Sequence, residues 1–194
     1  MTPNLSKLLN ALGLVAIDTV LVVAFADQLW FRDLPCPVCI LQRAGFIAAA
    51  FGLALNLIYG PRPSHYGIAI LGAVAGGIIS AWQILVYIVP DSGSYGNAIF
   101  GLHLYTWALL MFALIVVGSA FMLLFDRQFA PTEPLVARPT LLPVTAIALL
   151  LLLAVGNVVS TLAICGLGVA CPEKPSGYLI FNDNLSVTLL GKPS

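Results

Sequence analysis

Two cysteines and an arginine carry the chemistry most plainly. They stand in the run Leu34-Pro35-Cys36-Pro37-Val38-Cys39-Ile40-Leu41-Gln42-Arg43. A Cys-x-x-Cys pair can open and close a disulfide by thiolate attack. Pro37 suits the first turn of a helix, where its missing N–H costs nothing. Cys39 then falls in the opening turn, where unpaired backbone N–H groups and the positive end of the helix dipole favour a thiolate. Arg43, four residues on, shares that helix face. Its cation would stabilise the thiolate further, and its planar donors suit an oxygen-bearing acceptor. A second pair stands in Cys165-Gly166-Leu167-Gly168-Val169-Ala170-Cys171-Pro172. Its glycines leave the connection loose enough for the two thiols to meet each other or to reach another loop. Other readings compete: two static structural disulfides, a zinc site made by all four cysteines, and an Arg43 that merely snorkels to the interface. The Cys165/Cys171 spacing is wider than finger patterns use, so a redox-active reading with no metal is preferred.

The elements that must hold these residues are membrane helices. The chain has 194 residues, 60% hydrophobic and only 8% charged, with eight Lys or Arg and eight Asp or Glu. Mean hydropathy is +1.03. A soluble domain carries roughly 25% charged residues. The composition therefore excludes a disordered chain, a basic nucleic-acid binder and an ordinary soluble globule. A hydrocarbon core about 30 Å thick needs about 20 apolar helical residues. Five stretches qualify, over 8–27, 39–59, 66–89, 103–125 and 141–163. Gly60-Pro61-Arg62-Pro63, Pro90-Asp91-Ser92-Gly93 and the Pro-rich run from Pro131 to Pro143 separate them. The first stretch has features of a signal peptide, with Lys7 before it and Ala24-Phe25-Ala26 near its end. Asp18 inside the apolar run argues for a retained helix instead.

Lys7, Arg62, Arg127 and Arg138 lie on one side of this five-span scheme, and Arg32, Lys174 and Lys192 on the other. The positive-inside rule then predicts a cytoplasmic N-terminus and an outer C-terminal tail over 164–194. All four cysteines fall on the outer side, which is oxidising in a bacterial inner membrane. Gly72 and Gly76 form a small-xxx-small pair that predicts close helix packing. Trp30, Trp107, Tyr59 and Tyr87 near span ends suit an interfacial belt.

The run Pro35-Cys36-Pro37-Val38-Cys39-Ile40-Leu41-Gln42-Arg43 resembles the signature of the disulfide bond formation protein B (DsbB) family. The resemblance implies an all-α integral membrane protein, a four-helix transmembrane bundle, here with a fifth transmembrane helix. It implies a thiol oxidase that re-oxidises a periplasmic DsbA-like dithiol protein and passes electrons to a membrane quinone, ubiquinone or menaquinone. On that pattern Cys36 and Cys39 exchange with the quinone, Cys39 makes the contact and Arg43 assists. The chain departs from the best-known pattern in one respect. The outer loop between spans three and four, Pro90 to Gly101, lacks cysteine, and the second pair follows the fifth span. This arrangement, with Gly101-Leu102-His103-Leu104-Tyr105-Thr106-Trp107, resembles a five-span branch of the family. Cys165 and Cys171 then become the candidates for contact with the soluble partner.

His103 opens the fourth span at the depth of Cys39, a candidate for proton transfer beside the quinone or else an interfacial histidine. Trp82 and Gln83 are candidates for the ring site or for core packing. Asp18 needs a polar partner, such as Gln83 or Asn157, or a protonated carboxyl. Two alternative functions remain open. One is a vitamin K epoxide reductase-type membrane redox protein running with another partner or direction. The other is a non-catalytic membrane protein with two structural disulfides. A transporter would place broken helices or clustered polar residues at mid-membrane, and neither is evident.

Overall fold

The computed structural model describes residues 2–32, 34–89, 98–129, 141–166, 171, 175 and 177–179. Five helices account for most of them: α1 (Pro3–Trp30), α2 (Pro37–Tyr59), α3 (Pro63–Tyr87), α4 (Leu104–Leu123) and α5 (Leu141–Cys165). Each is long and apolar enough to cross a bilayer. The first helix extends beyond the expected 8–27 at both ends. Its start is set by Thr2, whose hydroxyl accepts the Leu5 N–H at 3.4 Å, with a proline opening the first turn. The loop over 90–97, the Pro-rich run over 130–140 and most of the tail beyond 166 lie outside the described residues.

α2 and α3 form the closest seam. The small residues expected in α3 meet small residues of α2. A Cβ on Gly72 would lie 2.6 Å from the Ala49 nitrogen, and one on Gly45 would lie 2.7 Å from the Gly76 Cα. Backbones can approach this far only where side chains are absent. The space above Gly76 is taken by Phe112 of α4, whose ring stacks on Phe46 with centroids 3.9 Å apart. α3 thus packs on both α2 and α4, while α1 packs on α2 and α5. The core runs through Leu14, Ile17, Leu21, Phe46, Ala49, Tyr66 and Phe112. Large apolar side chains such as Leu71, Ile78, Leu114 and Leu152 point outward, as lipid-facing positions require.

One departure from pure helix precedes α4. Strands β1 (Ala98–Ile99) and β2 (Leu102–His103) pair antiparallel around Phe100 and Gly101. Both turn residues have positive φ, 51° and 80°, as a two-residue hairpin turn demands. Trp107 pins the hairpin by donating its indole N–H to the Ile99 carbonyl at 3.0 Å.

The two ends of the bundle differ. At the end away from the cysteines, α1, α2, α3 and the 3-10 turn Asp126–Phe129 share a buried polar network. Asn56 Nδ2 donates to Asn10 Oδ1 at 2.9 Å, Asn10 Nδ2 donates to the Tyr66 hydroxyl at 2.7 Å, and Tyr66 donates to Gln128 Oε1 at 3.1 Å. Ser6 donates to the same Gln128 oxygen at 2.7 Å. Buried groups so paired fix helix register without leaving an orphan. Asp18 is an exception: it is 1% exposed, and neither carboxyl oxygen has a partner among the described residues. Gln83 is bonded elsewhere, and the side-chain oxygen of Asn157 is likewise unpaired there.

Candidate redox site

Pro37 opens α2, as its fixed φ favours. Cys36 therefore becomes the N-cap, and its sulfur accepts the Cys39 N–H at 3.1 Å. One of the helix-end N–H groups expected to favour a thiolate at Cys39, its own, is thus taken by the Cys36 sulfur. The two cysteines form a disulfide with Cα atoms 5.0 Å apart. Cys36 is only 5% exposed, whereas Cys39 lines a cavity.

That cavity measures about 370 Å³ and lies between α1, α2 and α4 under the hairpin. Phe46, Leu104, Ala108 and Met111 give it apolar walls, and Gln42, Arg43, Asp27 and Tyr105 supply its polar groups. Its size falls in the range of small-molecule sites, about 300–1,000 Å³.

Arg43 is 7% exposed and does not reach for the interface. Nη1 donates to Gln28 Oε1 at 2.6 Å, and Nη2 donates to the Ala24 carbonyl at 2.7 Å. The guanidinium also lies over the Phe25 ring, 4.8 Å from its centroid. Gln28 is held in turn by α5, donating to Ser160 Oγ at 2.8 Å, and more loosely to the Tyr178 hydroxyl at 3.4 Å. The Gln28–Ser160 contact brings the C-terminal ends of α1 and α5 together. The second disulfide, Cys165–Cys171, with Cα atoms 4.5 Å apart, therefore lies at the same end of the bundle as Cys36–Cys39. Both of its cysteines are half-buried.

The remaining candidates separate. Gln83 is 3% exposed and its amide nitrogen faces both sulfurs of the first pair. Its neighbour Trp82 is 64% exposed and turns to the lipid side. His103 stacks on Tyr105 with centroids 5.2 Å apart, which places it one ring behind the cavity wall. Its buried Nδ1 has no partner among the described residues. Gln28 and Gln42 join the candidate site through their hydrogen bonds to Arg43 and Gln83, and neither was assigned a role from the sequence. The available signal was an amide in an otherwise apolar stretch beside the motif, which has to find a partner in the bundle.

The arrangement defines a class: a polytopic helical membrane protein with two cysteine pairs closed as disulfides at one end, one of them opening onto an apolar cavity. The pattern of the family described as disulfide bond formation protein DsbB matches residues 6–96. That stretch spans α1 to α3 and includes Cys36, Cys39 and Arg43. The chain is 36% identical over 86 residues to a disulfide bond formation protein B of Xanthomonas euvesicatoria, covering 41% of this chain and 49% of the relative. The Xanthomonas axonopodis protein of the same name gives the same identity and coverage. That of Chromohalobacter salexigens is 31% identical over 84 residues. The chain thus spans about half the length of the curated relatives it matches. No solved structure gives a significant match. The likeness to the DsbB family thus covers α1 to α3, in a chain that has five membrane-long helices among its described residues and a cysteine pair behind the last of them.

Proposed function

We propose that this protein is a quinone-dependent thiol oxidase of the bacterial inner membrane, with its cysteine end facing the periplasm and its N-terminus in the cytoplasm. It re-oxidises a DsbA-like dithiol protein and passes the electrons to ubiquinone or menaquinone. One observation carries the reading: Cys39 and Arg43 line a single apolar cavity at the bundle end that also bears Cys165–Cys171.

The cavity fits a lipophilic ring with carbonyl oxygens. Phe46, Leu104 and Met111 would flank the ring, and Arg43 would offer donors to a carbonyl oxygen while Gln28 and Ala24 hold the guanidinium in place. A quinone bound there supplies a two-electron, two-proton acceptor that dissolves in the bilayer. His103, stacked behind Tyr105 with an Nδ1 that has no partner among the described residues, would be the side chain that passes protons to the cavity. Cys36 is too buried for a folded partner to attack, so electrons enter at the half-buried Cys165–Cys171 and cross to Cys36–Cys39 by thiol–disulfide exchange.

The test uses the purified protein with both pairs reduced. Adding ubiquinone or menaquinone should restore the disulfides with one quinone reduced per pair closed. Thiols that persist in the presence of either quinone would overturn the proposal.

A further inference from the structure

The first disulfide has a neighbour on α3 that the family signature does not include. Gln83 Nε2 lies 3.6 Å from the Cys36 sulfur and 3.7 Å from the Cys39 sulfur, distances normal for N–H donors to sulfur. The orientation of this amide is set. Its Oε1 accepts from Gln42 Nε2 at 2.8 Å, which leaves the nitrogen, with two N–H groups, facing two sulfurs. Gln42 and Gln83 are 6% and 3% exposed, so water does not compete strongly for either amide.

We propose that Gln83, oriented by Gln42, is a positioning residue that sets the redox equilibrium of the Cys36–Cys39 pair and serves its leaving group. The proposal rests on the reading of this pair as one that exchanges. A disulfide sulfur is a weak acceptor and a thiolate a strong one, so the same N–H groups bind more strongly once the bond opens. In the exchange step an incoming thiolate attacks the Cys36 sulfur. A new S–S bond forms between them, the Cys36–Cys39 bond breaks, and Cys39 departs as a thiolate with the electron pair of the broken bond. Gln83 donates to that sulfur as the charge appears, with no rearrangement, because it already faces both sulfurs. The buried amide thus favours the opened pair over the closed one.

The test titrates this pair alone, in full-length protein carrying Cys165→Ser and Cys171→Ser, against glutathione buffers without quinone. Trapped thiols are counted by alkylation. Gln83→Met keeps the side-chain length and removes the donor. A hydrogen bond to a charged group is worth enough to move the equilibrium about tenfold toward the disulfide. Tenfold corresponds to a potential about 30 mV more negative. Gln42→Met leaves Gln83 in place but unoriented and should shift the equilibrium the same way by a smaller factor. A shift of threefold or more for Gln83→Met supports the proposal. A smaller shift, or one toward the dithiol, overturns it. If Gln83→Met does not fold, Gln42→Met decides: twofold or more toward the disulfide supports, and less overturns. Quinone is absent throughout, so failure of the oxidase reading would leave this measurement intact.

Discussion

Gln28 and Arg43 meet at 2.6 Å, amide oxygen to guanidinium nitrogen, and this contact joins the cavity to the far side of the bundle. The same amide donates to Ser160 of α5, so the helix carrying the second cysteine pair helps to hold the arginine that lines the cavity of the first.

Gln28→Leu should therefore act in two ways. It strands a buried guanidinium N–H, at a cost of about 1.5–3 kcal/mol for a hydrogen bond to a charged group. It also frees Arg43 to turn away from the cavity. Thermal unfolding in detergent should drop, and the KM for quinone should rise several-fold. Arg43→Ala should raise the KM further, and Arg43→Lys should rescue only in part because it lacks the planar fork. Normal quinone turnover by Arg43→Ala would reduce the residue to a structural tie between α1 and α2.

The seam between α2 and α3 gives a prediction about stability alone. Gly72→Leu places a Cβ 2.6 Å from the Ala49 nitrogen, a backbone atom that cannot step aside. Overpacking of this kind costs about 1–3 kcal/mol or more. Gly77→Ala is the control, because its Cβ would meet Phe112 at an ordinary 3.5 Å. Thermal unfolding should separate the two variants clearly, and equal stability would mean that the helices can part without loss.

The five helices were legible in the sequence because membrane hydropathy is a one-dimensional signal. The α2–α3 seam was half legible: Gly72 and Gly76 stood out, but Gly45 did not, since a lone glycine shows nothing until its partner helix is placed. Cys36, Cys39 and Arg43 announced themselves by spacing. What Arg43 bonds to could not be read, because Ala24, Phe25 and Gln28 sit on another helix whose rotation the sequence leaves open. The same holds for Gln83, where adjacency to exposed Trp82 gave no indication of which residue faces inward. The Asn10–Asn56–Tyr66–Gln128 network went unseen for a related reason. Polar residues near span ends read individually as interfacial, and only tertiary contact makes them one buried cluster.

Topology is open to a direct test. With the N-terminus in the cytoplasm, both cysteine pairs face the periplasm, since the Gln28–Ser160 contact puts them at one end. A membrane-impermeant thiol reagent applied to reduced spheroplasts should label Cys165 and Cys171 quickly. Cys39 should react more slowly, and Cys36, 5% exposed, slowest of the four. Labelling that requires lysis would place the cysteine end in the cytoplasm and exclude the periplasmic relay.

The proposal that Cys165 and Cys171 form the entry pair rests on accessibility. Cys36 is capped beneath Gln83 at the start of α2, whereas Cys165 and Cys171 are half-buried at the end of α5, with Gly166 at positive φ just beyond the helix. A folded dithiol protein can approach the second pair more readily than the first. Exchange passes through a mixed disulfide, which persists when the resolving thiol is missing. A single Cys165→Ser or Cys171→Ser change should therefore accumulate a covalent adduct with the soluble partner, visible as a band lost on reduction. Chain order favours Cys165 as the trapped sulfur, so Cys171→Ser should give more adduct. The double variant Cys165→Ser, Cys171→Ser should lose oxidation of the protein partner by orders of magnitude. Small dithiols, able to reach Cys36–Cys39 directly, should still reduce quinone through it. Partner oxidation at the parental rate in the double variant would make the second pair a structural staple and place electron entry at Cys36.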